Sequence, residues 1–192
     1  MAIPVARWTA SSFDADFSQD LLVVAVDTPR TAIREQARRQ VRQILREILA
    51  GLLNCSPAQV GLQTQPGQPP RVDGHPDIGL SISHEPGRSL LAINRSGPVG
   101  IDLLHIEAAP AWQSEIDGLA CDYLGSTISG NTASERLHNF AQAWTAQEAR
   151  LKCLALPLQE SSPALQQKLA VCMTEALALD GDWIGCVARL KA

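Results

Sequence analysis

Residues 21–26, Leu-Leu-Val-Val-Ala-Val, are an unbroken apolar run rich in β-branched side chains, and they predict a buried strand. Asp27 or Thr28 can cap the element that follows, and Pro29 suits a first helical turn. Beyond it Ile33, Ala37, Val41, Ile44, Ile48 and Leu52 recur at steps of 4, 4, 3, 4 and 4, one face of a long helix over roughly residues 30–53. Asn54 and Pro57 end that helix. A weak strand over 60–64 follows, then Pro- and Gly-rich loops at 66–70 and 73–76. Residues 78–83 and 89–94 predict two strands around a turn at Glu85-Pro-Gly-Arg88.

Arg95-Ser-Gly-Pro98 breaks the pattern near the midpoint, and the order then returns. Residues 99–104 predict a strand, 125–132 a polar loop, and 134–156 a helix ended by Pro157. The stretch 164–179 reads two ways: 165–174 suits a helix, and 173–179 suits a strand. Asp180-Gly-Asp182 is a hairpin-type turn before a last strand over 183–190. This order predicts an α+β fold of two β-α-β-β halves, 1–95 and 96–192. The halves share no convincing residue-level repeat, so duplication rests on topology alone.

The 192 residues (20.6 kDa) suit one domain, or two small halves sharing a core. Hydrophobic and charged fractions of 45% and 19% exclude wholesale disorder. The longest apolar run, six residues, is far short of the ~20 that span a bilayer, so no membrane association is expected. Residues 1–20 carry Asp14, Asp16 and Asp20 and no apolar core, unlike a secretory signal. Five scattered cysteines without a C-x-x-C point to a reducing cytoplasm rather than a zinc site or disulfide framework. The net charge of −4 disfavours general nucleic-acid binding. The charge is uneven, however. Residues 28–50 hold six arginines against two glutamates, a local +4. Arg34, Arg38, Arg42 and Arg46 form a stripe at strict i+4. That stripe is either a solvated face paired by Glu35 and Glu47, or a contact surface for anions, which the planar guanidinium grips well.

Three places carry candidate chemistry. On the second helix Leu137, Phe140, Ala141, Trp144, Leu151 and Ala155 share one side at ~100° per residue. Glu148 falls inside that apolar arc and Lys152 at its edge, which suggests either a local i,i+4 pair or a metal or phosphate partner. Asp102 interrupts the apolar strand Val99-Gly-Ile-Asp-Leu-Leu104 and shares a face with Gly100 and Leu104. It is either a strand-end residue facing water or, with Glu148, a hard oxygen ligand for Mg²⁺. His84, in Ser81-Ile-Ser-His84, has two hydroxyls and Gly87 nearby and suits a phosphate-binding donor cluster. His75, His105 and His138 have no such context.

Taken in order, Gly67-Gln-Pro69, Ser81-Ile-Ser-His84, Val99-Gly-Ile-Asp102 and Trp144-Thr-Ala-Gln-Glu-Ala-Arg-Leu-Lys152 resemble the signature series of the 4′-phosphopantetheinyl transferases. They are most similar to the larger, single-chain, pseudo-dimeric type that activates peptide and polyketide synthetases. The resemblance implies two similar halves about a pseudo-twofold axis, each a small antiparallel sheet on a long helix, with the active site between them. It implies transfer of phosphopantetheine from coenzyme A to a serine of an apo acyl or peptidyl carrier protein, and a monomeric chain. Asp102 and Glu148 would then hold Mg²⁺, and Glu148 and Lys152 would be catalytic. Arg38, Gln68, Pro69, Ser83, His84 and Lys152 would bind coenzyme A, with Arg38 assigned to its 3′-phosphate by helix position. The other arginines of the stripe would face the acidic helix of the carrier.

Three positions depart from the family pattern. Leu104 stands where many members have a second acid, Gln147 where a Lys usually precedes the Glu, and Gln68 where the Lys of G-K-P helps bind the 3′-phosphate. Arg71 is near enough in sequence to replace the last. These losses keep open a non-catalytic relative that binds coenzyme A or a carrier protein; Asp102, Glu148 and Lys152 together favour the enzyme.

Overall fold

A computed structural model describes residues 2–9, 18–30, 34–65, 67–106 and 115–191. Asp14, Asp16, Ile33 and Pro66 lie outside them. The chain is mixed α+β. Two short strands open it, β1 (Ile3–Pro4) and β2 (Ala6–Arg7), followed by β3 (Leu21–Asp27). Helix α1 (Arg34–Leu53) leads to the small hairpin β4 (Leu62–Gln63) and β5 (Arg71–Val72). Then come β6 (Gly79–Glu85), β7 (Arg88–Asn94) and β8 (Val99–His105). Helices α2 (Ile116–Leu119), α3 (Ala133–Cys153) and α4 (Pro163–Leu169) precede β9 (Cys172–Ala178) and β10 (Trp183–Leu190).

One four-stranded sheet runs β2-β3-β7-β6 and the other β1-β9-β10-β8. The sheets are mixed rather than purely antiparallel, a correction to the sequence expectation. The cause is the N-terminal segment, whose two dipeptide strands dock in parallel on β9 and β3. Strands that short carry no periodicity, and the exposed edges of longer strands hold them in place.

Alternation along β3 and β7 builds two cores. Val24, Val26, Leu91 and Ile93 meet Val41, Leu45, Ile48 and Leu49 of α1. Val23, Ala25, Leu90 and Ala92, on the opposite face, meet Val99, Ile101, Leu103 and Val187 of the second sheet. The far face of that sheet packs Cys172, Cys186 and Ala188 against Ala149 and Cys153 of α3. The order of layers is therefore α1, sheet, sheet, α3.

Helix starts and stops follow capping chemistry. Thr132 caps α3 by accepting from Glu135 N, and Glu135 reaches back to the Thr132 N–H, a reciprocal capping box. At its end Ala155 N–H donates to Lys152 O and Leu156 N–H to Leu151 O, with Ala155 at φ 52°. That Schellman closure ends the helix before Leu156 and leaves Ala155 exposed, off the apolar arc expected for it. α1 closes the same way on Asn54. The ambiguous stretch 164–179 resolves into helix then strand, because Ser162 caps α4 and Pro163 occupies its first turn. No helix among the described residues is long and apolar enough to cross a membrane.

Candidate active site

β6 and β8 are the edge strands of their sheets and face each other. Ile101 N–H, left without a ladder partner on that side, donates to Ser81 Oγ at 3.0 Å. Two residues along, Ser83 Oγ donates to Asp102 Oδ1 at 2.8 Å. The paired hydroxyls of the Ser81-Ile-Ser-His84 run thus join the two sheets. His84 alternates to the other face of β6, where its Nδ1 lies 2.8 Å from Ser89 Oγ across the β6–β7 ladder. The expected single donor cluster of His84 with both serines is therefore divided by the pleat.

Asp102 is 7% exposed in the middle of β8, not at a wet strand end. Its Oδ1 accepts a second bond from Lys152 Nζ at 2.6 Å, and Lys152 also donates to Ser83 Oγ at 3.3 Å. The partner of Lys152 is thus Asp102, on another element, rather than Glu148 one turn back on its own helix. Glu148 is half-buried on α3. Burial, and then the negative charge of Asp102, push its carboxyl above the ordinary value, while Lys152 opposes them. Two carboxylates and one ammonium meet here because Gly100 lets α3 approach β8: a side chain at that position would run into the backbone of Ala149 and Cys153.

These groups line a cleft of about 500 Å³ together with Arg38, His84, Leu104 and Trp144. It continues into a groove of about 680 Å³ that Arg42, Gln68 and Pro69 also line. The structure therefore brings every residue expected at the site to one continuous depression: Arg38, Gln68, Pro69, Ser83, His84, Asp102, Glu148 and Lys152. The Arg stripe divides. Arg38 and Arg42 reach the groove, although Arg42 also lies 3.8 Å from Glu35. Arg71 lines a neighbouring cavity of about 600 Å³ with Asp73 and His75, apart from Arg38. Gln68 is exposed at the groove rim.

Two features escape a sequence reading. Glu85 is a third carboxylate in the cleft wall, signalled only by its place beside His84. Gln147, by contrast, is only 4% exposed and turned inward, its Nε2 donating to Tyr123 O at 3.2 Å in the single π-helical turn Ala120–Leu124. Its departure from the motif is thus a packing matter in this chain. Of the remaining histidines, His105 is buried against Trp183, with ring centroids 4.2 Å apart, and His138 faces Gln142 on the exposed side of α3.

Among the described residues no group of three or more His, Cys, Asp or Glu side chains is placed to hold a metal ion. The pair Asp102 and Glu148 nevertheless fits a hard divalent cation that takes its other ligands from water and phosphate. Both bonds to Asp102 land on Oδ1, and Oδ2 takes neither. Burial first, and then the charge of Asp102, raise the pKa of Glu148, and a cation held between the two carboxylates would offset both.

No family model matches the chain, and no curated protein sequence matches it.

Proposed function

We propose that the chain transfers 4′-phosphopantetheine from coenzyme A to a serine hydroxyl of an apo carrier protein, releasing adenosine 3′,5′-bisphosphate. The observation that carries this reading is the Asp102–Lys152–Glu148 cluster, set opposite Arg38 and His84 across one cleft. Paired acids, an ammonium, a guanidinium and an imidazole suit the pyrophosphate of coenzyme A, where transfer depends on positioning and charge neutralisation.

Arg38 would receive the 3′-phosphate and His84 would donate to a phosphate oxygen, with Gln68 and Pro69 on the groove wall beside them. Lys152 would sit against the pyrophosphate and stabilise the leaving phosphate. The serine oxygen forms a bond to the pantetheine phosphorus as the bond from that phosphorus to the adenylate oxygen breaks. Glu148 would take the serine proton as general base. Asp102 and Glu148 would hold Mg²⁺. When bound, that ion neutralises pyrophosphate charge.

The expected division into halves at 1–95 and 96–192 gains support from strand order. β3, β7 and β6 stand in the same first-third-second order as β8, β10 and β9, each set with one long helix after its first strand. We read this as a pseudo-twofold arrangement with the cleft at its junction. A monomer in the cytoplasm is the matching assembly and location.

A non-catalytic relative that binds coenzyme A or a carrier is the second reading. Neutral, exposed Gln68 in place of a cation favours it. The reading is tested by incubating the protein with coenzyme A, Mg²⁺ and apo carrier proteins and assaying adenosine 3′,5′-bisphosphate. Release that requires both protein and carrier supports transfer; binding of coenzyme A without release supports the second reading.

A further inference from the structure

Asp102 already has a cation. Lys152 Nζ lies 2.6 Å from Asp102 Oδ1, and Ser83 Oγ holds both ends of the pair, donating to the carboxylate at 2.8 Å and accepting from the ammonium at 3.3 Å. The side chains are 10% exposed for Asp102 and 30% for Lys152. A carboxylate buried this far needs a compensating charge, and here that charge is tethered one helical turn from Glu148. Asp102, Glu148 and Lys152 together carry −1 when all are ionised. A divalent ion entering this cluster alone would turn it to +1 and place like charges side by side. An anionic phosphate entering with it removes that excess. The flexible Lys152 stem can then swing its ammonium from carboxylate to phosphate without leaving the cleft.

We propose that Lys152 competes with divalent metal for Asp102, so that the cleft takes metal and a phosphate-bearing ligand together rather than metal first. This rests on the reading of Asp102 and Glu148 as the metal carboxylates. Lys152 is then a device for binding order as well as a contact for the leaving phosphate.

Mn²⁺ is the probe, its free concentration read by electron paramagnetic resonance, with coenzyme A as the anion. The wild-type protein should bind Mn²⁺ weakly alone and about tenfold more tightly with coenzyme A, an ordinary size for coupling between two ligands. Lys152→Gln, which keeps a hydrogen-bond donor without the charge, should bind Mn²⁺ alone about tenfold more tightly than wild type, and coenzyme A should then add little. Lys152→Met should behave likewise without the amide. Equal Mn²⁺ affinity in wild type and variants overturns the competition while leaving the two-carboxylate site standing. Wild-type Mn²⁺ affinity unchanged by coenzyme A overturns it without recourse to any variant. No Mn²⁺ binding by any of the proteins, with or without coenzyme A, overturns the metal site itself and the competition with it.

Discussion

Gly100 of β8 and Ala149 of α3 are in backbone contact: a Cβ on Gly100 would collide with the Ala149 carbonyl oxygen. Ala149 follows Glu148 directly and stands one turn before Cys153, so this contact sets the depth at which Glu148 and Lys152 meet Asp102. Gly100→Ala must push the helix outward. The expected cost is about 3 kcal/mol or more by chemical denaturation, the upper range for overpacking against an unyielding neighbour. Lys152 should lose its bond to Asp102 in the same variant, and turnover should fall further than stability alone explains.

Ala155 adopts a left-handed conformation at the end of α3 that glycine takes at no steric cost. Ala155→Gly should therefore stabilise the fold by about 1 kcal/mol, measured as a higher denaturation midpoint. A lower midpoint would mean that contacts of the Ala155 methyl outweigh its backbone strain.

Much of this was legible in the chain. The apolar period placed α1 and α3, and the alternation of 99–104 placed Asp102 on one face with Gly100 and Leu104. That Lys152 pairs with Asp102 was not legible, because an i,i+4 spacing advertises only the local partner, and the competing one lies 50 residues away. The serines of β6 looked like one cluster with His84, because sequence adjacency does not show the pleat dividing them. β1 and β2 were missed because two residues have no period to read. Gln147 looked like a lost functional lysine; only its bond to Tyr123 O shows that the position turns inward.

That bond has its own consequence. Gln147→Lys restores the residue expected from the family motif, but it would place an ammonium in a site only 4% exposed. The variant should lose about 1–3 kcal/mol of stability and gain no activity. Increased turnover in Gln147→Lys would instead show that this position reaches the cleft.

Glu148 imposes a pH dependence on stability. Its pKa is raised by burial first and by Asp102 second, against the opposing charge of Lys152, so the folded protein holds this proton more tightly than the unfolded chain does. The associated stability is complete below the unfolded pKa and is lost as pH rises through the folded one. Glu148→Gln removes that loss. It should melt higher than wild type near neutral pH, with the gap closing as the solution is acidified, while its turnover disappears. A variant less stable than wild type at neutral pH would mean that the carboxylate is better compensated than its surroundings indicate.

Transfer adds a phosphopantetheine group to the acceptor, so the intact mass of the acceptor reads it without any coupled assay. Purified protein is mixed with coenzyme A, Mg²⁺ and a panel of apo carrier proteins, and each carrier is weighed before and after. At least one carrier should gain about 340 Da, the mass of one phosphopantetheine group, and Asp102→Asn should abolish the gain. An unchanged mass for every carrier that a known transferase does modify, or a full gain with Asp102→Asn, would rule out transfer at this cleft.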